Sequence, residues 1–133
     1  MIELHFPWTS DYEIGDDHID SQHHRLIDLA NLLLEASHRH QEEAVVHQAL
    51  EALKAYAAEH FAEEEAFFRK IHSPLLSEHI AQHRALTQEI EAFRLDDTLG
   101  FIALGETVAI WVRDRLVPHM IVDDQKALMA GRT

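Results

Sequence analysis

Cysteine is absent from this chain of 133 residues. That excludes disulfides, thiolate metal sites, thiol nucleophiles and iron–sulfur clusters, and leaves the redox compartment undecided. Glycine and proline are scarce, at four and three residues, and neither Asn-Gly nor Asp-Gly occurs, so the usual hairpin signals are missing. Basic residues are also few. Eleven Lys and Arg against 24 Asp and Glu give a formal charge of −13, which repels phosphate backbones and anionic lipid surfaces and argues against nucleic acid as a partner. No apolar run approaches the roughly 20 residues needed to span a bilayer. The start, Met1-Ile2-Glu3-Leu4-His5, lacks a basic stretch followed by an apolar one. These absences predict a soluble, cytoplasmic monomer with no membrane insertion. What the chain has in excess is histidine: 12 residues, more than Lys and Arg together.

The length fits a single domain, residues 1–133. From Asp17 the apolar pattern is helical, with Ile19, His23, Leu26, Ile27, Ala30, Leu33 and Leu34 recurring at three- and four-residue steps. This predicts a helix over about residues 18–37. A second stripe, Val46, Ala49, Leu50, Leu53, Ala57, His60, Glu64, Phe67 and Ile71, predicts a helix over 41–70, stopped by His72-Ser73-Pro74. A third, Leu76, His79, His83, Leu86, Ile90 and Phe93, predicts 75–94, followed by a turn-rich connection from Leu95 to Gly100. The last, Leu104, Val108, Trp111, Val112, Leu116, His119 and Leu128, predicts 100–129 with a kink at Pro118. Four amphipathic helices with short connections predict an all-α, up-down-up-down four-helix bundle. Residues 1–16, carrying Leu4, Phe6, Trp8 and Tyr12, are expected as an extended arm over it.

Each stripe is interrupted by imidazole or carboxylate where Leu or Val is expected: His23; His60 and Glu64; His79 and His83; His119 with Asp123 or Asp124. A buried ionisable group without a partner costs several kcal/mol, so each position calls for a hydrogen-bond partner or a metal. For one His on an apolar stripe, a satisfied core residue is the commoner answer. His5, His18, His24, His38, His40, His47 and His72 fall off the stripes and read as solvated. His79-x3-His83 is the only His-x-x-x-His in the chain and can place two rings on one ion. His60/Glu64 shares its spacing with His38/Glu42 and His47/Glu51, but it alone continues an apolar face. Seven donors exceed the roughly six that one first-row ion takes, so two metals are implied; imidazole suits iron, zinc or copper.

The ordered string is more specific than any spacing. Trp8-x3-Tyr12-x2-Gly15 leads into Ile19-Asp20-x-Gln22-His23-x2-Leu26, then His60-Phe61-x2-Glu63-Glu64, His79-x3-His83 and His119-x4-Asp124. This resembles the hemerythrin family in its bacterial single-domain form, over essentially the whole chain. The resemblance implies two iron ions, cycling between Fe2+ and Fe3+, with a bridging oxo or hydroxo group. It implies that His79, His83 and His119 ligate one iron, His23 and His60 the other, and that Glu64 and Asp124 bridge them. Two octahedral ions then keep one open position, on the iron with two His, and dioxygen is the implied ligand. Asp20, Gln22, Glu59 and Glu63 stand near ligand positions as candidate outer supports. Phe61, Phe67 and Trp111 are candidates for keeping water out, and Arg115 is expected at the bundle rim. Asp16 and Met120 depart from the family pattern. Ideal helix geometry favours Asp123 after His119, since Asp124 lies about 140° around the helix; the family motif favours Asp124.

These readings predict reversible dioxygen binding, for transport, storage or delivery to an oxygen-consuming enzyme, without catalytic turnover. Oxygen sensing through a partner, di-iron peroxidase or nitric-oxide-handling activity, and a bundle with structural zinc or no metal are the alternatives.

Overall fold

Asp16 accepts the Ile19 N–H at 3.0 Å and so caps the first helix, with Asp17 and Asp20 adding favourable negative charge to its opening turn. The helix, α1 (Asp17–His38), comes from a computed structural model that describes residues 6–39, 43–93 and 100–131. Among the described residues the regular elements are α1, α2 (Glu43–Lys70), α3 (Leu76–Glu91), α4 (Gly100–Trp111) and α5 (Asp124–Gly131), with no strand. The helix ends agree with the expected ones to within a few residues. Leu4, the start expected at 41–42, the helix end expected at 94 and residues 95–99 of the expected turn lie outside the described residues, whereas Gly100, expected in that turn, opens α4.

Between α4 and α5 the chain does not break. Val112–Leu116 and His119–Asp123 are π-helical, and Trp111, Val117, Pro118 and Asp124 all keep right-handed helical dihedrals. A fourth rod therefore runs through Pro118, with two widened turns flanking the proline. α1 packs on α2 and α4, α2 on α3, and α3 on α5. That closes a ring of four antiparallel neighbours, the up-down-up-down bundle.

Two apolar clusters fill it. The larger includes Leu26, Leu33, Leu50, Leu53, Val108 and Leu116; the smaller joins Ile14, Ile19, Phe68, Ala127 and Leu128. The second helix buries Phe68 completely, whereas Phe67, the residue expected on its stripe, is only partly buried. Phe68 is four residues past Glu64, closer to a true helical repeat than three. α2 ends in a Schellman motif, with Ser73 N–H bonded to the Phe68 carbonyl (2.9 Å) and His72 N–H to that of Arg69 (3.1 Å). His72 takes the left-handed position there (φ 57°).

The arm is pinned, not merely laid down. Phe6 exchanges two hydrogen bonds with the Asn31 side chain, both 2.9 Å. Trp8 stacks on Tyr12, which closes a short 3-10 turn (Ser10–Tyr12) instead of continuing an extended strand. Asp20 accepts the N–H groups of Ile14 (2.7 Å) and Gly15 (3.2 Å). Asp16 thus caps the helix without loosening the arm, and Met120 is fully buried in the core.

Gly105 allows α4 to approach α1. A Cβ added there would stand 2.5 Å from Ser37 Cβ and closer still to its Oγ. Overpacking of this kind costs about 1–3 kcal/mol, so Gly105→Ala is expected to lower the urea midpoint despite alanine's better helix propensity. Adding Ser37→Gly should recover part of the loss.

Candidate metal centre

All seven stripe-breaking donors meet in one layer between the two apolar clusters. α1 supplies His23, α2 supplies His60 and Glu64, α3 supplies His79 and His83, and the fourth rod supplies His119 and Asp124; none exceeds 2% exposure. Their donor atoms form two overlapping groups, each within 4.8 Å: Glu64, His79, His83, His119 and Asp124, and His23, His60, Glu64 and Asp124. The two carboxylates belong to both. His18, His24, His47 and His72 are exposed and outside these groups. His38 is only half-exposed and faces Glu106 at 3.5 Å, so it is not the freely solvated residue expected; His5 and His40 lie outside the described residues.

The fourth rod reaches the centre because it is not a regular α-helix. The Asp124 N–H bonds to the His119 carbonyl, an i→i+5 link that widens the turn by one residue. In a regular helix His119 and Asp124 would sit about 140° apart; taking one residue out of the phase count leaves about 40°. The Val117 N–H makes the same kind of link to the Val112 carbonyl one turn earlier, just before Pro118, which has no N–H to donate. Asp124 therefore faces the pocket, completely buried, and Asp123 is displaced to its edge.

Asp123 supports instead, accepting from His119 Nδ1 at 3.2 Å. Three of the other four rings are held from behind in the same manner: His83 Nδ1 by Glu65 (2.7 Å), His60 Nδ1 by the Gln22 side-chain oxygen (2.9 Å) and His23 Nδ1 by the Tyr12 carbonyl (2.6 Å). None of these oxygens can donate, so each Nδ1 carries the proton and each Nε2 is directed inward as the donor atom. Of the expected supports, Gln22 touches a ring directly. Glu63 acts one step back, binding the Gln22 amide and exposed His18, while Asp20 ties down the arm that presents Tyr12. Among the described residues Glu59 makes no hydrogen bond to any of these rings. Glu65 and the Tyr12 carbonyl are not legible in the string, because nothing in local spacing marks a contact across helices or a backbone oxygen.

Around the donors, Phe61 stacks on the His83 ring (4.3 Å, 16°) and Phe68 meets His79 edge-on (4.8 Å). Phe61 thus stands where expected. Phe67 belongs to the periphery of the smaller cluster, and Trp111 directs its N–H to Glu89, away from the donors. Arg115 forms a two-pronged pair with Glu89 (both 2.8 Å) at the rim of a cavity of about 290 Å3 that also touches His119 and Asp123.

Without a cation this layer is held by shared protons. Burial disfavours the charged form of His23, but the Asp124 and Glu64 carboxylates beside it outweigh burial and raise its pKa to about 10; the same balance raises His79 to about 9. Burial would raise Glu64, yet His60 beside it and the other rings around it hold it well below the ordinary carboxylate range. The protons do not satisfy every atom. His60 Nε2 and both Asp124 carboxylate oxygens make no hydrogen bond, although imidazole or carboxylate atoms lie 2.8–3.1 Å away. Such orphaned, fully buried atoms are costly, and a pair of cations between the donors would satisfy them together. The residues present fit two metal ions.

Comparison with known proteins agrees. Residues 14–126 match the family model described as hemerythrin HHE cation binding domain. The chain is similar to proteins described as bacteriohemerythrin. One from Campylobacter jejuni is 27% identical over 113 residues, 85% of each chain. One from Clostridium acetobutylicum is 26% identical, covering 84% of this chain and 93% of its own. One from Stenotrophomonas maltophilia is 30% identical, covering 89% and 76%.

Asp124→Ala should abolish metal binding, whereas Asp123→Ala should retain it with an affinity lowered by about 10- to 100-fold, the usual cost of removing an outer support. Metal analysis after competition with a chelator checks both; loss of metal in the Asp123 variant alone would reverse the assignment. In the metal-free protein, the stabilisation carried by protonated His23 and His79 is complete below their unfolded value near 6.5 and fades as pH rises through about 9 to 10. That carried by Glu64 is complete above its ordinary value and is lost in acid. The urea midpoint of the metal-free chain should accordingly fall on both sides of weakly acidic pH. Metal loading at neutral pH should release about two protons per chain into a weakly buffered indicator solution.

Proposed function

Because the chain belongs to the hemerythrin family, we propose that it binds dioxygen reversibly at a non-haem pair of irons, as a carrier or store and not as an enzyme. The observation that carries this reading is the unequal division of the donors: three imidazoles in one group, two in the other, with Glu64 and Asp124 common to both. His79, His83 and His119 would hold one iron, His23 and His60 the other, and the two carboxylates would span them. If one solvent oxygen joined the ions, the three-His side would have six donors and the two-His side five. The open position would then lie beside His23 and His60.

Iron, when bound, supplies the electrons on which reversible dioxygen binding draws. The protein's part is to fix the donors and keep the vacancy dry. The Tyr12 carbonyl and Gln22 lock the two rings beside it, and both rings are completely buried. Apolar side chains on either side of the layer exclude the water that would deliver protons and displace a bound gas. Five of the seven donors are neutral imidazoles, a set that favours the ferrous state over highly oxidised iron.

An optical spectrum taken under air and then under vacuum tests the proposal. A ligand-to-iron band that forms with oxygen and bleaches on evacuation is expected, in protein containing two irons per chain. Sustained peroxide consumption with a reducing substrate would replace the carrier reading with an enzymatic one, and fewer than two irons after reconstitution would overturn the di-iron reading.

A further inference from the structure

The groups behind the imidazoles differ between the two halves of the centre. On the three-His side, His83 is backed by the Glu65 carboxylate and His119 by the Asp123 carboxylate. On the two-His side both backing groups are neutral, a main-chain carbonyl for His23 and a side-chain amide for His60. Behind His60 the Glu63 carboxylate is held one residue away, with the Gln22 amide inserted between it and the ring.

An anionic acceptor on Nδ1–H draws the proton toward itself and makes Nε2 a stronger donor; a neutral acceptor does so less. A stronger donor favours the more highly charged metal ion. We propose that this asymmetry sets the two irons at different reduction potentials, with Gln22 as the positioning residue that keeps the oxygen-binding, two-His iron at the higher one. That half then holds its electron against adventitious one-electron oxidants, while the carboxylate-backed half is the easier to oxidise. The inference rests on the di-iron reading above and adds to it a reason for neutral groups at the backs of His23 and His60.

The test is a charge swap within one hydrogen-bonded string. Gln22→Glu with Glu63→Gln keeps composition, net charge and the string itself, because a carboxylate at position 22 can accept both from His60 and from an amide at position 63. It moves the negative charge into direct contact with the ring. In di-iron protein, a redox titration following both one-electron steps should show the upper midpoint shifted downward, by about 59 mV for a tenfold change in the ferric-to-ferrous ratio, with the lower midpoint moving less. Glu65→Gln and Asp123→Asn should raise the lower midpoint and leave the upper nearly in place. In zinc-loaded protein the His60 Nδ1 proton resonance should move downfield in the swap, toward those of His83 and His119.

A swap that holds two irons but moves neither midpoint, or moves the lower one more, overturns the proposal. Should the swapped protein fail to load, the Glu65 and Asp123 variants decide it: selective elevation of the lower midpoint supports it, and no shift or equal shifts refute it. If the parent chain holds fewer than two irons, the di-iron reading fails, and this inference with it.

Discussion

The dominant constraint on this protein is the burial of two carboxylates among five imidazoles. Seven ionisable side chains with almost no exposure would be ruinous if any remained unmatched, since an uncompensated buried charge costs several kcal/mol. The layer is therefore tolerable only where all four rods deliver their donors to the same depth and backing groups fix every ring they touch. Much of the surrounding structure follows from that requirement, including an arm whose main chain is recruited to hold His23 and a small-residue crossing that brings the first and fourth rods together.

Positioning is shared between regular and irregular backbone. The pairs His60/Glu64 and His79/His83 need only an ordinary helix, which returns to nearly the same face after four residues. His119 and Asp124 need a widened turn. The bland alternative for each imidazole, a core histidine content with one hydrogen bond, accounts for any single ring. It does not account for inward Nε2 atoms on several rods, nor for Asp124 oxygens without a hydrogen bond.

Most of the bundle is legible in the sequence because apolar periodicity and burial have the same cause: Leu26, Leu50, Leu86 and Leu116 recur where one face must leave water, and all are buried. The donors are legible for the opposite reason, as polar residues on stripes where polarity is expensive. Asp124 is the exception. Ideal geometry favours its neighbour, and only the ordered family motif points past it, because a π turn leaves no local signature beyond Pro118. The outer supports are harder still. Gln22 can be suspected from its place beside His23, but Glu65 reaches His83 across an interhelical contact, and the Tyr12 contribution comes from a carbonyl that every residue possesses. The apolar stripe selects Phe67 over Phe68, an error of one position that helical phase readily permits.

The paired π turns also explain how the last rod can serve both apolar clusters. Val108 and Leu128 are both buried, one in each. Twenty residues of regular helix would set them about 200° apart, on opposite sides of the rod. Two widened turns each absorb one residue, and the remaining eighteen complete five whole revolutions at about 3.6 residues each. The rod's inner surface is thus brought back into alignment from top to bottom. Length changes in this segment are constrained accordingly: losing one residue above the donor layer and gaining one below it would preserve the ends while turning the middle away from its neighbours.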